Sequence, residues 1–172
     1  RILAGVKRED KDQVIALLAA LLSAGQEAIL NANSTDILRA ERDGLSPALI
    51  DRLRLTPKRL AGMKDDLHQI CSLPDPVGSV FEPQQLPNGL KVHKQRVPLG
   101  VLAVIYESRP NVTLDISALA LKSGNALILR GGKEPLNTNQ ALITLIHQAL
   151  ERGNLPVTAV QFIDSIDRSL VM

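Results

Sequence analysis

The sequence predicts an α/β fold, a doubly wound parallel sheet preceded by helices and a β-hairpin. Three observations carry that expectation. Residues 101–105 (VLAVI) and 126–129 (ALIL) are short apolar runs separated by amphipathic segments of helix length, the pattern of parallel strands joined by crossover helices. Residues 1–76 hold helical periodicity punctuated by Gly44, Ser46-Pro47, Thr56-Pro57 and Leu73-Pro74-Asp75-Pro76. Between the two regions, Asn88-Gly89 is a strong hairpin signal, because both residues tolerate positive φ.

In order along the chain, Asp10 or Asp12 is expected to cap a first helix. Its apolar face runs Val14, Leu17, Leu18, Leu21, Leu22, Ala28 and Ile29, the spacing of a one-sided helix. Ser34 is expected to cap a second helix ending at Gly44, a residue suited to a left-handed stop. Ser46-Pro47 and Thr56-Pro57 each set a capping hydroxyl before a proline at the first helical position. The last of these helices should bury Leu60, Met63, Leu67 and Ile70, and Pro74 and Pro76 stop it.

Residues 77–97 change character. Leu90 and Val92 alternate with Lys91 and His93, so one face is available for burial, but Lys94 interrupts it and a ribbon exposed on much of its surface is expected. Lys91, Lys94 and Arg96 read as a solvated face or as edge protection more readily than as a partner surface. In residues 98–172, strand 101–105 is expected to be covered on both faces. A helix over 111–123 closes at Gly124. The strand over 126–129 runs into Arg130-Gly131-Gly132-Lys133-Glu134. A helix over 135–152, burying Leu142, Leu145, Ile146, Ala149 and Leu150, stops at Gly153. A third strand covers about 159–163, and a further helix is expected before Met172.

Composition narrows the classes. The 172 residues suit one domain. At 45% apolar but 2% aromatic, the core must be aliphatic. Charged residues at 22% argue against disorder. A net charge of +2 demands no nucleic-acid partner. The uncharged stretches 14–26 and 97–106 are shorter than the roughly 18 apolar residues of a membrane span. The single cysteine, Cys71, forms no internal disulfide and belongs to no zinc pattern, so a reducing, cytoplasmic setting is the expectation. The first residue is Arg1 and no signal-peptide pattern follows, so the chain reads as a piece of a longer protein.

Ligands of an open parallel sheet bind beyond the carboxyl ends of its strands. Residues 106–113 (YESRPNVT) and 130–134 (RGGKE) occupy such ends. Gly131-Gly132 lets backbone approach a ligand or take positive φ. With Arg130 and Lys133 beside them, the donors suit a phosphate or sugar hydroxyl. A tight turn with solvated charges fits equally well, since neither standard nucleotide fingerprint is present. Asn111 is either a helix cap or an amide placed for a developing oxyanion. Arg109 either pairs with Glu107 or holds an anionic substrate. His68, His93 and His147 sit in three elements without metal-ligand spacing, so no metal is expected. Cys71 lies near a helix C-terminus, where the dipole disfavours thiolate, and reads as a small buried hydrophobe. The chain therefore offers a binding surface but no convincing nucleophile.

Residues 97–134 (VPLGVLAVIYESRPNVTLDISALALKSGNALILRGGKE) resemble the γ-glutamyl phosphate reductase family of the aldehyde dehydrogenase superfamily. So do 29–37 (ILNANSTDI), 44–60 (GLSPALIDRLRLTPKRL), 73–78 (LPDPVG) and 153–164 (GNLPVTAVQFID). The resemblance covers essentially the whole chain and fits the bacterial, stand-alone form best. It implies a Rossmann-like cofactor domain whose helical part is 1–76, an oligomerisation arm at 77–97, and a βαβαβ NADP(H)-binding core at 98–172, with the catalytic domain outside this chain.

The activity implied is the NADPH-dependent reduction of L-glutamyl 5-phosphate to glutamate 5-semialdehyde with release of phosphate, in proline biosynthesis. A cysteine thiolate attacks the acyl phosphate, phosphate leaves, and hydride reduces the thioester. Cys71 does not match that cysteine, so residues 1–172 alone are expected to be inactive. Arg130 matches the position that reaches the adenosine ribose, and Gly131, Gly132 and Lys133 match the rest of that turn. The charge of Arg130 and Lys133 favours a 2′-phosphate, hence NADP(H). Asn111 matches the oxyanion-hole asparagine; the resemblance supplies no settled role for Arg109, for which binding of a substrate anion is the expectation drawn from its charge. Glutamate 5-kinase and further copies of the same protein are the implied partners, with no nucleic acid and no membrane. The alternatives are the reductase half of a bifunctional pyrroline-5-carboxylate synthase and a non-catalytic nucleotide-binding module.

Overall fold

The computed structural model describes residues 2–165. Helices α1 (Arg8–Ala24), α2 (Gln26–Arg42), α3 (Pro47–Leu53) and α4 (Pro57–Ser72) come first, then strands β1 (Val80–Gln85) and β2 (Lys91–Gln95). They are followed by β3 (Val101–Ile105), α5 (Asn111–Lys122), β4 (Ala126–Arg130), α6 (Leu136–Arg152), a 3-10 turn (Val157–Ala159) and β5 (Val160–Phe162). The helix expected before Met172 lies outside the described residues.

Strands β3, β4 and β5 form a parallel sheet in that order, with Val101 opposite Ala126 and Leu127 opposite Val160. Both crossovers step the same way, so their right-handedness sets α5 and α6 on one side of the sheet. Helices α1 and α4 pack on α5 and α6 over that side. One aliphatic core results. It joins Val14, Ile15 and Leu18 of α1 and Leu67 of α4 to Leu114 and Leu121 of α5, Leu127 and Leu129 of β4, and Leu142 and Ile146 of α6. Each such side chain contributes about 1.5–3 kcal/mol on burial. The other side of the sheet differs from expectation. Val101 and Ile105 remain 66% and 60% exposed, because both crossover helices cover the same face.

Local signals set most boundaries, and tertiary contacts move the rest. The apolar stripe read as one helix is two, bent by 70° at Gly25. A Cβ at Gly25 would press on the Leu21 carbonyl at 3.2 Å and on Leu145 at 3.4 Å, so the elbow sits at a glycine with a side chain of α6 beside it. Helix α1 begins at Arg8 with Lys7 as its uncapped N-cap, which puts Asp10 in the first turn rather than at the cap. Asp12 pairs instead with Arg8 at 3.2 Å and with Lys122. Ser34 lies inside α2 and donates to the Leu30 carbonyl. Ser46 makes no side-chain cap, whereas Thr56 does, accepting from the Arg59 amide at 3.1 Å. Gly44 and Gly124 take positive φ just beyond α2 and α5, as expected. At the end of α6 the left-handed residue is Asn154, with φ 54°, and not Gly153. Gly153 is required for a different reason, since a Cβ there would collide with Val14.

The hairpin forms around Gly89, with β1 and β2 antiparallel. Every residue of both strands is exposed, so the face of Leu90 and Val92 finds no cover within residues 2–165. Lys94 pairs with Glu82 at 2.6 Å, and the Arg96 guanidinium lies 5.2 Å from the Phe81 ring centre.

Two buried lysines tie the helical layer together. Lys11, 1% exposed, meets Asp75 at 2.6 Å, and Lys122, 3% exposed, meets Asp12 and the Cys71 carbonyl. Burial alone would raise the Asp75 carboxyl. The Lys11 hydrogen bond, the Val77 amide and the charges of Lys11 and Lys122 outweigh it and hold that carboxyl below its ordinary value.

Candidate functional site

The parallel pairing of β3 with β4 delivers their two outgoing loops side by side. The Tyr106 amide donates to the Arg130 carbonyl at 3.0 Å, one step past the end of the ladder. The Tyr106 hydroxyl stands 2.6 Å from Thr113 Oγ1, and Thr113 Oγ1 donates to Asn139 Oδ1 at 2.9 Å. With the Thr113 proton so committed, Tyr106 is the donor to Thr113. Burial, opposed by the Thr113 hydrogen bond, pushes the Tyr106 phenol up to about 12, so it keeps that proton at neutral pH.

The same chain of contacts explains the glycine pair. A Cβ on Gly131 would collide with Asn139 Nδ2 and stand 3.2 Å from the Tyr106 hydroxyl. A Cβ on Gly132 would stand 2.8 Å from Glu134 Oε2 and 3.6 Å from the Glu107 backbone. Neither glycine has positive φ. Gly131 is small because α6 and the first loop come close, whereas Gly132 meets only the flexible end of Glu134 and ordinary contact with the first loop; neither needs a ligand or positive φ to explain it. Ser108 Oγ adds a bridge to Glu134 Oε2 at 3.3 Å. The two strand-end loops therefore make one continuous rim.

Asn111 opens α5, half-buried. It is not the helix cap, since Pro110 holds that position. Its Nδ2 donates to Asp115 Oδ2 at 3.0 Å, which fixes the amide plane and engages one of its two N–H groups. Burial raises the Asp115 carboxyl, with the Asn111 bond opposing and the Asp66 charge adding to the rise. Arg109 is exposed, and its side chain makes no ion pair with Glu107; only its backbone amide reaches the Glu107 carbonyl, at 2.8 Å. Arg109 and Asn111 line a cleft of about 350 Å³ with Arg52, Arg54, Arg59 and Asp66. Arg59 is committed to the Asp51 carboxylate and the Arg54 carbonyl, and Arg54 approaches Glu41. Arg52 and Arg109 are in no ion pair among the described residues, so they give this cleft its uncommitted positive charge.

Arg130 ends β4, half-buried. Lys133 is exposed and lines a separate, smaller hollow with Asp36, Arg39 and Glu134. The rim is thus shared, but the asparagine end and the Arg130–Lys133 end flank it rather than fall into one cavity.

Cys71 is half-buried, packed at the edge of the core. Burial and the Asp12 charge raise its thiol, with Lys122 opposing. Lys122 ends the 12-residue helix that Asn111 begins, about 17 Å away along its axis. Cys71 is therefore remote from the Asn111 amide. Among the described residues, no group of three or more His, Cys, Asp or Glu side chains could hold a metal ion, and no single helix is long and apolar enough to cross a membrane.

One group escaped the sequence reading. Asn33, Asp36, Thr138 and Asn139 are buried polar residues at the junction of α2 with the start of α6. A signal existed, because Asn33 and Asp36 fall on the same helical stripe as Ile29, Ile37 and Ala40. Polar residues in an apolar register imply buried partners.

Solved structures with this arrangement define the class. A putative aldehyde dehydrogenase from Bacillus subtilis superposes with a TM-score of 0.67 over 95% of this chain, at 18% identity. An NAD-dependent benzaldehyde dehydrogenase from Corynebacterium glutamicum gives 0.70 over 94%, at 19%. The chain has the aldehyde dehydrogenase-like fold. Sequence narrows this further. The γ-glutamyl phosphate reductase of Serratia marcescens is 55% identical over 169 residues, 98% of this chain and 40% of that protein. The crystal structure of γ-glutamyl phosphate reductase from Thermotoga maritima matches with a TM-score of 0.94 and 40% identity over 99% of this chain and 41% of its own. That from Saccharomyces cerevisiae gives 0.92 and 34% over 98% of this chain and 44% of its own. No family model matches. Over nearly its whole length the chain is similar to γ-glutamyl phosphate reductases in sequence and fold, and it spans about two-fifths of the length of the curated relatives it matches.

Proposed function

We propose that this chain is the cofactor-binding part of a reductase that converts L-glutamyl 5-phosphate to glutamate 5-semialdehyde at the expense of NADPH, releasing phosphate. The observation that carries the reading is the shared rim. The Tyr106–Thr113–Asn139 hydrogen bonds and the Ser108–Glu134 bridge lock the loop bearing Arg109 and Asn111 to the turn bearing Arg130 and Lys133. On the partition implied by the family, 1–76 and 98–172 form the cofactor domain and 77–97 is an arm by which copies of the protein associate.

The residues present fit a dinucleotide. Arg130 and Lys133 supply a half-buried guanidinium and an exposed ammonium at the carboxyl end of a parallel strand, suited to an adenosine ribose and its 2′-phosphate. The bound cofactor supplies the hydride. Asn111, oriented by Asp115, donates its second N–H to the oxygen that gains charge as the acyl carbon becomes tetrahedral. Arg109 holds an anionic group of the substrate. The nucleophile is a cysteine thiolate other than Cys71, whose place beside the far end of α5 excludes it. A kinase that makes the acyl phosphate is the implied supplier of substrate.

The test is semialdehyde- and phosphate-dependent reduction of NADP⁺ by the protein that carries this chain. Asn111→Ala should lower kcat by about 10²–10³-fold, and Arg109→Gln should raise the KM for the semialdehyde while leaving the KM for NADP⁺ unchanged. Turnover unaffected by Asn111→Ala removes the oxyanion role.

A further inference from the structure

Asp36 is fully buried on α2, and both its oxygens are spent on the first turn of a helix about a hundred residues away. Oδ1 accepts from the Asn137 amide at 3.2 Å and from Asn137 Nδ2 at 2.7 Å. Oδ2 accepts from the Thr138 amide at 2.8 Å and from Thr138 Oγ1 at 2.7 Å. Asn33, one turn earlier, donates to the same Thr138 Oγ1 at 3.2 Å and to the Leu53 carbonyl at 2.9 Å, and its Oδ1 accepts from the Leu55 amide at 2.7 Å. The Arg39 guanidinium stands 3.8 Å from Oδ1.

A buried carboxylate is costly unless every lone pair is used. Here it answers two of the four orphan amides at the start of α6 and meets the positive end of that helix. Apolar packing alone would hold two helices together without such a group. What the carboxylate adds is a fixed position for residues 137 and 138. Upstream, Arg130 is fixed by its ladder to β3. The segment between them is the Gly131–Pro135 turn, and its Lys133 and Glu134 share a hollow with Asp36 itself.

We propose that Asp36 is a positioning residue for the cofactor turn: it anchors the downstream end of residues 131–135 and thereby sets the affinity for NADPH without touching the cofactor. The proposal rests on the cofactor reading above. Asn139, next in sequence to the anchored Thr138, carries the same constraint to Thr113 and Tyr106 through the hydrogen bonds already described.

The experiment is NADPH binding by fluorescence titration in the protein that carries this chain, together with KM and kcat, for wild type, Asp36→Asn and Asn137→Ala. Asp36→Asn puts an amide of the same shape against two backbone donors. The dissociation constant for NADPH should rise by about tenfold or more, while the KM for the acyl substrate stays within about twofold. Asn137→Ala removes one bond, leaves the carboxylate in place, and should weaken NADPH in the same direction by a smaller factor. It decides the matter alone should Asp36→Asn fail to fold. NADPH binding unchanged in folded variants, or an equal loss for both substrates accompanied by a lowered Tm, overturns the positioning role and leaves the cofactor reading standing. Wild-type protein that does not bind NADPH overturns the cofactor reading, and the proposal with it.

Discussion

Gly153 and Gly131 are glycines because of what stands beside them. Val14 occupies the space a Cβ at Gly153 would need, and Asn139 occupies that at Gly131. Gly153→Ala should therefore destabilise the protein by about 1–3 kcal/mol, the usual cost of overpacking. Thermal unfolding measures it, and Val14→Ala in the same protein should return part of the loss. Additive losses in the double variant would show that the contact is not the cause. Single residues were legible where the cause was local. Thr56 before Pro57 caps its own helix through its hydroxyl, Gly124 after α5 acts through its own backbone, and both were read directly. The roles of Gly131, Gly153 and Asp36 were not, because each depends on an atom many residues away. The candidate site divides the same way. The residue types at 109, 111 and 130–133 could be read from the chain, but the engagement of Asn111 by Asp115 needed the side-chain geometry.

Helices are held by charge as well as by leucine. The Lys11–Asp75 pair clips the turn after α4 onto α1, and Lys122–Asp12 clips α5 beside it. The Asp75 carboxyl is held below its ordinary value, so its contribution to stability is complete above the unfolded aspartate value, about 3.9. That contribution is lost as pH falls through the lower folded value. Asp75→Asn should remove this part of the acid transition, and at neutral pH it leaves Lys11 buried without its partner, at a cost of about 3 kcal/mol. Tm measured from pH 2 to pH 7 checks both limbs; an unchanged Tm at neutral pH would mean that Lys11 finds another counter-charge. At this scale the order of strands and helices was legible from apolar runs and prolines. The elbow at Gly25 was not, since it marks where Leu145 of α6 passes, a contact no local pattern reports.

Across the molecule, the helices and one face of the parallel sheet share a single core, whereas the hairpin and the opposite sheet face carry exposed apolar residues, among them Phe81, Val92, Val101 and Ile105. The hairpin's existence was legible at Asn88-Gly89. Its exposure was legible in part, because Lys94 interrupts the apolar face and marks a ribbon exposed on much of its surface; that Leu90 and Val92 are exposed too was not, because alternation in a strand records which residues share a face and is silent on whether anything covers it. The functional account stands on the junction of two strand ends, where α2, α5 and α6 all send buried polar groups to fix the loops. If that junction holds a dinucleotide through Arg130, the charge of that residue should discriminate between the phosphorylated and unphosphorylated cofactor. The most direct measurement is the titration of NADPH and NADH into the protein that carries this chain, wild type against Arg130→Ala. The account predicts that the substitution weakens NADPH by about tenfold, one charge-assisted hydrogen bond, and NADH by clearly less; an equal effect on both, or none on either, would contradict it.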